Sequence, residues 1–455
     1  MFTALTTNFE PDKLLSPLTA VPRRGPRRWW GGPLDVEGLA LASVSTAAAT
    51  INRLMGQPVI TNVDAGRVAS SFNSLELLRI AGTRPQGFAE LSGFFETADG
   101  WIRTHANYPH HAQRLCSALN ATTKNSIAAK LLQMPSAEAE EHITSRDGVA
   151  AAVRTRAAWQ SSPMASLATA PTWIQLVPSA TPHSQQEKVW TPNETAALPL
   201  IGLRVLDLTR TIAGPIASRS LAALGADVLR VDPPDLPELL EQHIDTGGGK
   251  RTATANLEDP RALAKFHGLL QSAHILLVGY RPGSLDRFDL SVTDLQTRYP
   301  RLIIVTLNAW GNNSSWGQKR GFDSIVQSAV GIADVYRTPD GKPGSLPVQA
   351  LDHATGYGIL AAAATLLTIQ THHGHAGHAQ LSLAHTADLL WETPVPHDPI
   401  QELAEPPYAT RMSNYGELKY VFPPFDLGEK PVDYPSPPHR YGSDTLTWLP
   451  KEPSL

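Results

Sequence analysis

Four short apolar runs constrain this 455-residue chain more than any other feature: "LRVLDLT" (203–209), "ADVLRVD" (226–232), "HILLVGY" (274–280) and "RLIIVTLN" (301–308). Each is β-rich and short, and helical patterns such as "IASRSLAAL" and "RALAKFHGLLQSA" separate most of them. Strands alternating with helices pair in parallel, and both faces of such a sheet must be covered. The expected fold is α/β: a doubly wound, Rossmann-like parallel-sheet domain, with a smaller α+β domain beside it. Ligands of such sheets sit outside the carboxyl ends of the strands. The first strand ends at "TRTIAGP" (209–215), so Gly214-Pro215 opens the next helix beside that crevice.

The rest of the chain has a different character. "VEGLALASVSTAAATINRL" (36–54) reads as an Ala-rich helix suited to close packing, and "FFETADGWIRTHA" (94–106) as a hairpin turning at Asp99-Gly100. A helix should follow through "HHAQRLCSALN". The basic "RRGPRR" run near the start reads as a solvated or frayed end. Linker composition without periodicity over 176–199 suggests a boundary. The organisation expected is 1–180 small-domain-like, 181–199 linker, 200–391 α/β domain, and 392–455 a Pro-rich tail laid over other surfaces.

Composition excludes several function classes. Hydrophobic content of 42% and charged content of 18% are ordinary for a globular protein, and a net charge of −4 without an overriding basic cluster speaks against nucleic acid. The single cysteine, Cys116, excludes an internal disulfide and a Cys-rich zinc site. "MFTALTTNFEPDKLL" lacks the basic start and apolar core of a secretory signal, and the final "EPSL" lacks the basic residue of a peroxisomal one. The apolar stretch around 356–369 is too short for a membrane span. A cytoplasmic protein is expected.

One long greasy helix carries an ionisable residue at its mouth: "LPVQALDHATGYGILAAAATLLTIQ" (346–370). Asp352 there is open to two readings. It is an N-cap that suits the helix dipole, or it is a carboxylate kept ionised by that dipole, with Gly356 and Gly358 allowing close approach, able to attack an activated acyl group. The histidines of "THHGHAGHAQLSLAH" (371–385) match no metal spacing and fall at a turn between helix and strand, so no metal is expected. "TGGGKRTATANL" (246–257) lacks the spacing of a phosphate-binding Walker loop. It is either a flexible loop presenting Lys250 and Arg251 to an anion or a surface turn. In "RPGSLDRF" (281–288), Arg287 sits past a strand end where a phosphate would be held.

In order along the chain, "GLRVLDLTRTIAGPIASRSLAALGADVLRVD", "GKRTATANLEDP", "RPGSLDRF", "RLIIVTLNAWG", "RGFDSIVQSAVG" and "ALDHATGYGILAAAATLL" together resemble the family III CoA-transferases, the CaiB/BaiF family that includes formyl-CoA:oxalate CoA-transferase. The resemblance covers about residues 200–390. It implies that Asp352 is the nucleophile. It also implies that CoA is held by Arg287 with Phe288, by Arg320, by Ala213 and Gly214, and by Lys250 as a softer candidate. CoA or acyl-CoA is then substrate rather than a resident cofactor, and a carboxylic acid is the second substrate; neither nucleic acid nor membrane is an expected partner. CoA would move between acids through an aspartyl anhydride and an aspartyl-CoA thioester, without ATP.

The departures matter as much. The related α-methylacyl-CoA racemases need a histidine in "GHD"; here the stretch is "GFD" with Phe322, which disfavours a racemase or epimerase. A non-catalytic CoA-binding homologue is the third reading. Ile212 stands where the oxalate enzyme has glutamine, and that enzyme's glycine-rich flap has no counterpart. Domain order also differs. "FFETADGWIRTHANYPHHAQRLCSAL" and "DGVAAAVRTRAAWQSSP" resemble the family's small domain yet precede the α/β domain, as if a two-copy enzyme had been trimmed. Family dimers interlock, but a rearranged chain could make the same contacts within one subunit, so a homodimer stays open.

Overall fold

The computed structural model describes residues 15, 17–168, 172–179, 189–193, 195–312 and 316–450. Residues 1–14, the terminal "EPSL" and, within the linker 181–199, residues 181–188 and 194 lie outside the described residues. In chain order, helix α1 (Val36–Met55) leads to strand β1 (Ile60–Asp64). Strands β2 (Gly93–Glu96) and β3 (Trp101–Thr104), helix α2 (Pro109–Leu119) and strand β4 (Ala150–Ala152) follow. Next come β5 (Gln175–Pro178), β6 (Arg204–Leu208), α3 (Ala213–Ala223), β7 (Asp227–Asp232), β8 (Arg251–Thr254) and α4 (Pro260–Leu270). The remainder is β9 (Ile275–Val278), β10 (Ile303–Asn308), α5 (Asp323–Ala329), α6 (Ala350–His373), β11 (Gly377–Ser382), α7 (Leu383–Glu392), β12 (Tyr408–Ser413), β13 (Gly416–Val421) and β14 (Phe425–Leu427).

The protein is mixed α/β. Its largest sheet has seven strands in the order β8-β7-β6-β9-β10-β11-β5, all parallel except β5, which runs antiparallel along the β11 edge. All four expected apolar runs are strands of this sheet, and Val205 stands in register with both Val228 and Ile275. A smaller antiparallel sheet, β2-β3-β4, has its own core of Phe95, Ile102, Leu115, Leu119, Ile127 and Ile143. The expected hairpin at Asp99-Gly100 joins β2 and β3.

Helix α6 organises the main core. Residues Ala350 to Gln370 are all buried, because α1, α3, α7, β10 and β11 surround it. A helix that is apolar all round can only be stable inside a protein. Gly356 and Gly358 serve this packing rather than approach by a ligand. A Cβ at Gly356 would lie 2.6 Å from the Ala213 carbonyl oxygen on α3, and one at Gly358 would lie 2.7 Å from the Trp173 ring.

Three further expectations change. The "RRGPRR" run is solvated at Arg23–Arg24 but not frayed: Arg23–Arg24 pairs in parallel with β1, Arg27 pairs with Asp35, and Arg28 donates to the Pro396 and Asp398 carbonyls. The "TGGGKRT" stretch presents no flexible cation loop, because Arg251 begins β8 and pairs with Asp227. The Pro-rich tail is not wholly extended. A hairpin of β12 and β13 turns at Gly416 (φ 97°), a backbone conformation natural to glycine, and β14 pairs with β1.

Substituting Gly356→Ala should therefore destabilise the protein by about 1–3 kcal/mol, the usual scale of overpacking. Gly268→Ala, in α4 with open space around it, should be neutral or stabilising by up to about 1 kcal/mol. Thermal or urea unfolding of both variants checks the contrast.

Candidate active site

The strand order reverses between β6 and β9, and a crevice opens where two neighbouring parallel strands send their chains opposite ways. A cavity of about 590 Å³ lies there. Its wall includes Leu208 and Thr211 beyond β6, Gly279 and Tyr280 beyond β9, and Tyr108, His111 and Arg114 from α2 and its approach. A wider groove of about 1420 Å³ runs past the amino-terminal ends of the strands (Arg204, Asp227, His274) and contains none of the expected site residues. The switch-point cavity is the candidate site.

Asp352, Arg287, Phe288, Arg320 and Ala213 all line this cavity, so the structure brings together five residues far apart in sequence. Two expected residues are not brought there. Lys250 is buried with its Nζ 2.9 Å from Ser218 Oγ and 3.3 Å from Asp207 Oδ2; burial pulls its pKa down to about 8 against the pull of Asp207. Gly214 instead lets α3 start against the end of β6, since a Cβ there would lie 2.2 Å from the Thr209 Cβ.

Asp352 is not the N-cap of α6. The helix begins at Ala350 after Gln349, which makes no side-chain cap, and the cap comes from elsewhere in the chain. Asp323, the acidic residue of "GFD", accepts the Asp352 backbone N–H at Oδ2 (3.0 Å). Gln327 Nε2 donates to Asp323 Oδ1, and Gln327 Oε1 accepts the Leu346 N–H (2.9 Å). Asp323 is fully buried and Asp352 is 7% exposed.

This geometry overturns the expectation that the dipole keeps Asp352 ionised. Burial first, and then the charge of Asp323, push the Asp352 carboxyl well above the usual carboxylate range. Asp323 is also raised by burial, but bonds from the Asp352 and Leu351 backbone and from Gln327, with the charge of Arg103, oppose the shift. The two acids differ: Asp323 has the partners that stabilise a charge, and Asp352 lacks them.

Around them lies a ring cluster. Phe322 stacks on His105 with centroids 3.7 Å apart and planes 3° from parallel, and it meets His111 edge-on at 5.7 Å. His111 also abuts Tyr108 and His110. Burial holds His105 down to about 3 and His111 to about 2, so both rings are neutral near pH 7.

Cations crowd the same cavity: Arg114, Arg210, Arg281, Arg287, Lys319 and Arg320. Arg287, 67% exposed, pairs with Glu258 at 2.9 Å and lies 4.7 Å from the Phe288 ring centroid. Arg320 pairs with Asp147 of the region before the linker at 2.6 Å. Arg210 donates to the Leu236 and Pro237 carbonyls and lies over Tyr108. Tyr108, His111, Arg114, Arg210 and Arg281 were not anticipated. A signal for two of them existed, since His111 and Arg114 are three apart on one helix and share a face. Among the described residues no cluster of His, Cys, Asp or Glu could hold a metal, and no helix is long and apolar enough to cross a membrane.

An α/β protein with a switch-point crevice, an acid at the cavity wall and cations around it is thereby defined. Residues 200–415, a little under half of the chain, match the model of CoA-transferase family III. The resemblance read from the motifs holds over this stretch. A probable fatty acyl-CoA transferase of Mycobacterium tuberculosis is 32% identical over 205 residues, 42% of this chain and 52% of that protein. A succinate–glutarate CoA-transferase of Agrobacterium fabrum is 28% identical over 203 residues, 41% and 51% respectively. A crystal structure of a hypothetical protein from Mycobacterium tuberculosis aligns at 33% identity over 42% of this chain and 56% of that one, with TM-score 0.40. The chain spans about half the length of these relatives.

If Asp323 raises the Asp352 pKa through its charge, Asp323→Asn should lower it. Should catalysis need ionised Asp352, the acid limb of kcat/KM then lies at lower pH in the variant than in the wild type. A pH–rate profile of the two proteins measures this.

Proposed function

We propose that the protein is a CoA-transferase that moves CoA from an acyl-CoA donor to a carboxylic acid, with Asp352 as nucleophile. One observation carries the reading. Asp352 stands in the wall of the switch-point cavity that also holds Arg287, Phe288 and Arg320, and its carboxyl oxygens receive no hydrogen bond from any described residue. Once ionised, Asp352 attacks the thioester carbonyl and expels CoA thiolate, leaving a mixed anhydride. The thiolate returns to the aspartyl carbonyl, releases the first acid, and leaves an aspartyl-CoA thioester. The acceptor carboxylate repeats the sequence in reverse. One thioester replaces another, so no ATP is consumed.

In this reading the CoA phosphates displace the exposed carboxylates of Glu258 and Asp147 from Arg287 and Arg320. Guanidinium groups suit phosphate oxygens by fixed charge and planar donors. The Phe288 ring beside Arg287 offers a face to the adenine. Phe322, flanked by His105, leaves no imidazole at the "GFD" motif itself, which favours transfer over racemisation.

The finer fold assignment belongs to the same proposal: a doubly wound, Rossmann-like sheet in the unit 200–391. It is supported by the strand order and by α3 and α6 packing against strands. The units 1–180 and 392–455 would then be a rearranged small domain and a returning tail. The enzyme would be cytoplasmic, and a homodimer stays compatible with this arrangement.

Incubation with an acyl-CoA donor and hydroxylamine should convert Asp352 to a hydroxamate, detectable by peptide mass spectrometry. Asp352→Asn should lose both the adduct and CoA exchange, by roughly 10⁴-fold or more, the scale on which losing a covalent nucleophile is felt. Turnover that leaves Asp352 unmodified would refute the role.

A further inference from the structure

The mechanism above leaves one requirement without an owner. Attack on a thioester moves charge onto the carbonyl oxygen, and that oxyanion needs a hydrogen-bond donor already in place. Backbone N–H groups beside Asp352 and near the glycines that follow it would be one source. The structure closes that route: the Asp352 N–H is given to Asp323, and Gly356 and Gly358 face α3 and Trp173.

His111 has the properties that the missing donor requires. It is nearly fully buried, yet it lines the cavity that contains Asp352. Its Nδ1 is sealed from solvent and has no hydrogen-bond partner among the described residues, so Nε2 is the nitrogen through which the ring can meet a ligand. A sealed N–H without an acceptor is more costly than a sealed lone pair, so the proton belongs on Nε2. Tyr108, His110 and Phe322 hold the ring from three sides. The largest electrostatic influences on the ring come from His110, His105, Arg320 and Arg114, none of them a carboxylate. Such surroundings keep the imidazole neutral and welcome a negative charge.

We propose that His111, delivered by the region before the linker, donates a hydrogen bond from Nε2 to the oxyanion formed when Asp352 attacks the acyl thioester. The proposal rests on the reading of Asp352 as nucleophile. In the step, an Asp352 oxygen forms a bond to the carbonyl carbon, and the C=O π pair moves onto oxygen, where Nε2–H meets it. The pair then returns, the C–S bond breaks, and CoA leaves as thiolate. His111 transfers no proton; it is a neutral electrophile, and burial that bars it from charging fits it for that role.

The test compares His111→Gln, whose amide N–H can still donate, with His111→Leu, which cannot. CoA affinity and melting temperature are measured for both. Loss of the donor should lower kcat by roughly 10²–10³-fold in the Leu variant. The Gln variant should recover at least tenfold of that, and CoA affinity should stay within about twofold of wild type. Equal rates in the two variants, whether both high or both low, overturn the proposal. A second measurement does not require the variants to turn over. An acyl-CoA labelled at the carbonyl carbon, bound to Asp352→Asn, should show a C=O stretch lowered from its value in water. The absence of that shift, or its persistence in the Asp352→Asn/His111→Leu protein, also overturns the assignment. Hydroxylamine labelling reads the nucleophile separately: it should remain on Asp352 in His111→Leu, only slower, whereas an unlabelled wild type would point to failure of the Asp352 reading.

Discussion

The bond from the Asp352 backbone N–H to the buried Asp323 carboxylate is the interaction on which the site depends. A helix start leaves backbone donors without intrahelical partners, and a buried start must find acceptors. Here the acceptor belongs to another helix, α5, so one carboxylate fixes the position of α6 relative to α5. The same carboxylate puts negative charge beside Asp352 and raises the cost of ionising it. Position and reactivity are thus set by a single side chain. The "GFD" motif contributes its aspartate to this bond and its phenylalanine to the ring cluster next door.

The region before the linker is tied to the crevice by a second set of buried polar groups. The Tyr108 hydroxyl donates to Glu238, which also accepts the Thr211 N–H and pairs with Arg230; Arg230 in turn makes two bonds to Asp232. Charges this buried persist only when paired and fully bonded, and removing one partner of such a set typically costs about 3–5 kcal/mol. The network sits at the carboxyl end of β7, one strand from the switch point. It holds Tyr108 there, and Tyr108 starts the helix that carries His111 and Arg114.

Much of this was legible in the sequence, and the reasons are local. Four of the seven strands of the large sheet announce themselves as β-rich apolar runs because both faces of the sheet are covered, and α6 does so as an unbroken small-and-apolar helix. Asp352 stood out because a carboxylate at the mouth of such a helix is expensive. What failed depended on distant partners. Lys250 looked like a loop cation because its glycine-rich neighbours suggest exposure, yet Asp207, hidden inside the apolar run "LRVLDLT", draws it into the core. Asp352 looked ionised because its helix was visible and Asp323 was not. His111 was passed over because nothing in "NYPHHAQRL" says that this helix closes a cavity made by residues from Leu208 onward.

In the proposed mechanism one of two buried acids is the nucleophile, and their partners bear on which. Strand β3 alternates, with Ile102 in the small core and Arg103 and His105 on the other face. Arg103 lies between the rings of Phe88 and Phe94, and its charge favours ionisation of Asp323. Asp323 commits Oδ2 to a backbone N–H and Oδ1 to Gln327, so neither oxygen is free to form a covalent bond. Asp352 has the opposite balance: no stabilising donor, a raised pKa, and a place in the cavity wall. A carboxylate poor in hydrogen bonds is the better nucleophile once ionised, because it gives up little on attack. The environment that makes Asp352 reluctant to lose its proton is therefore the same one that makes the anion reactive, while the neutral ring of His111 faces the cavity without a carboxylate of its own to satisfy.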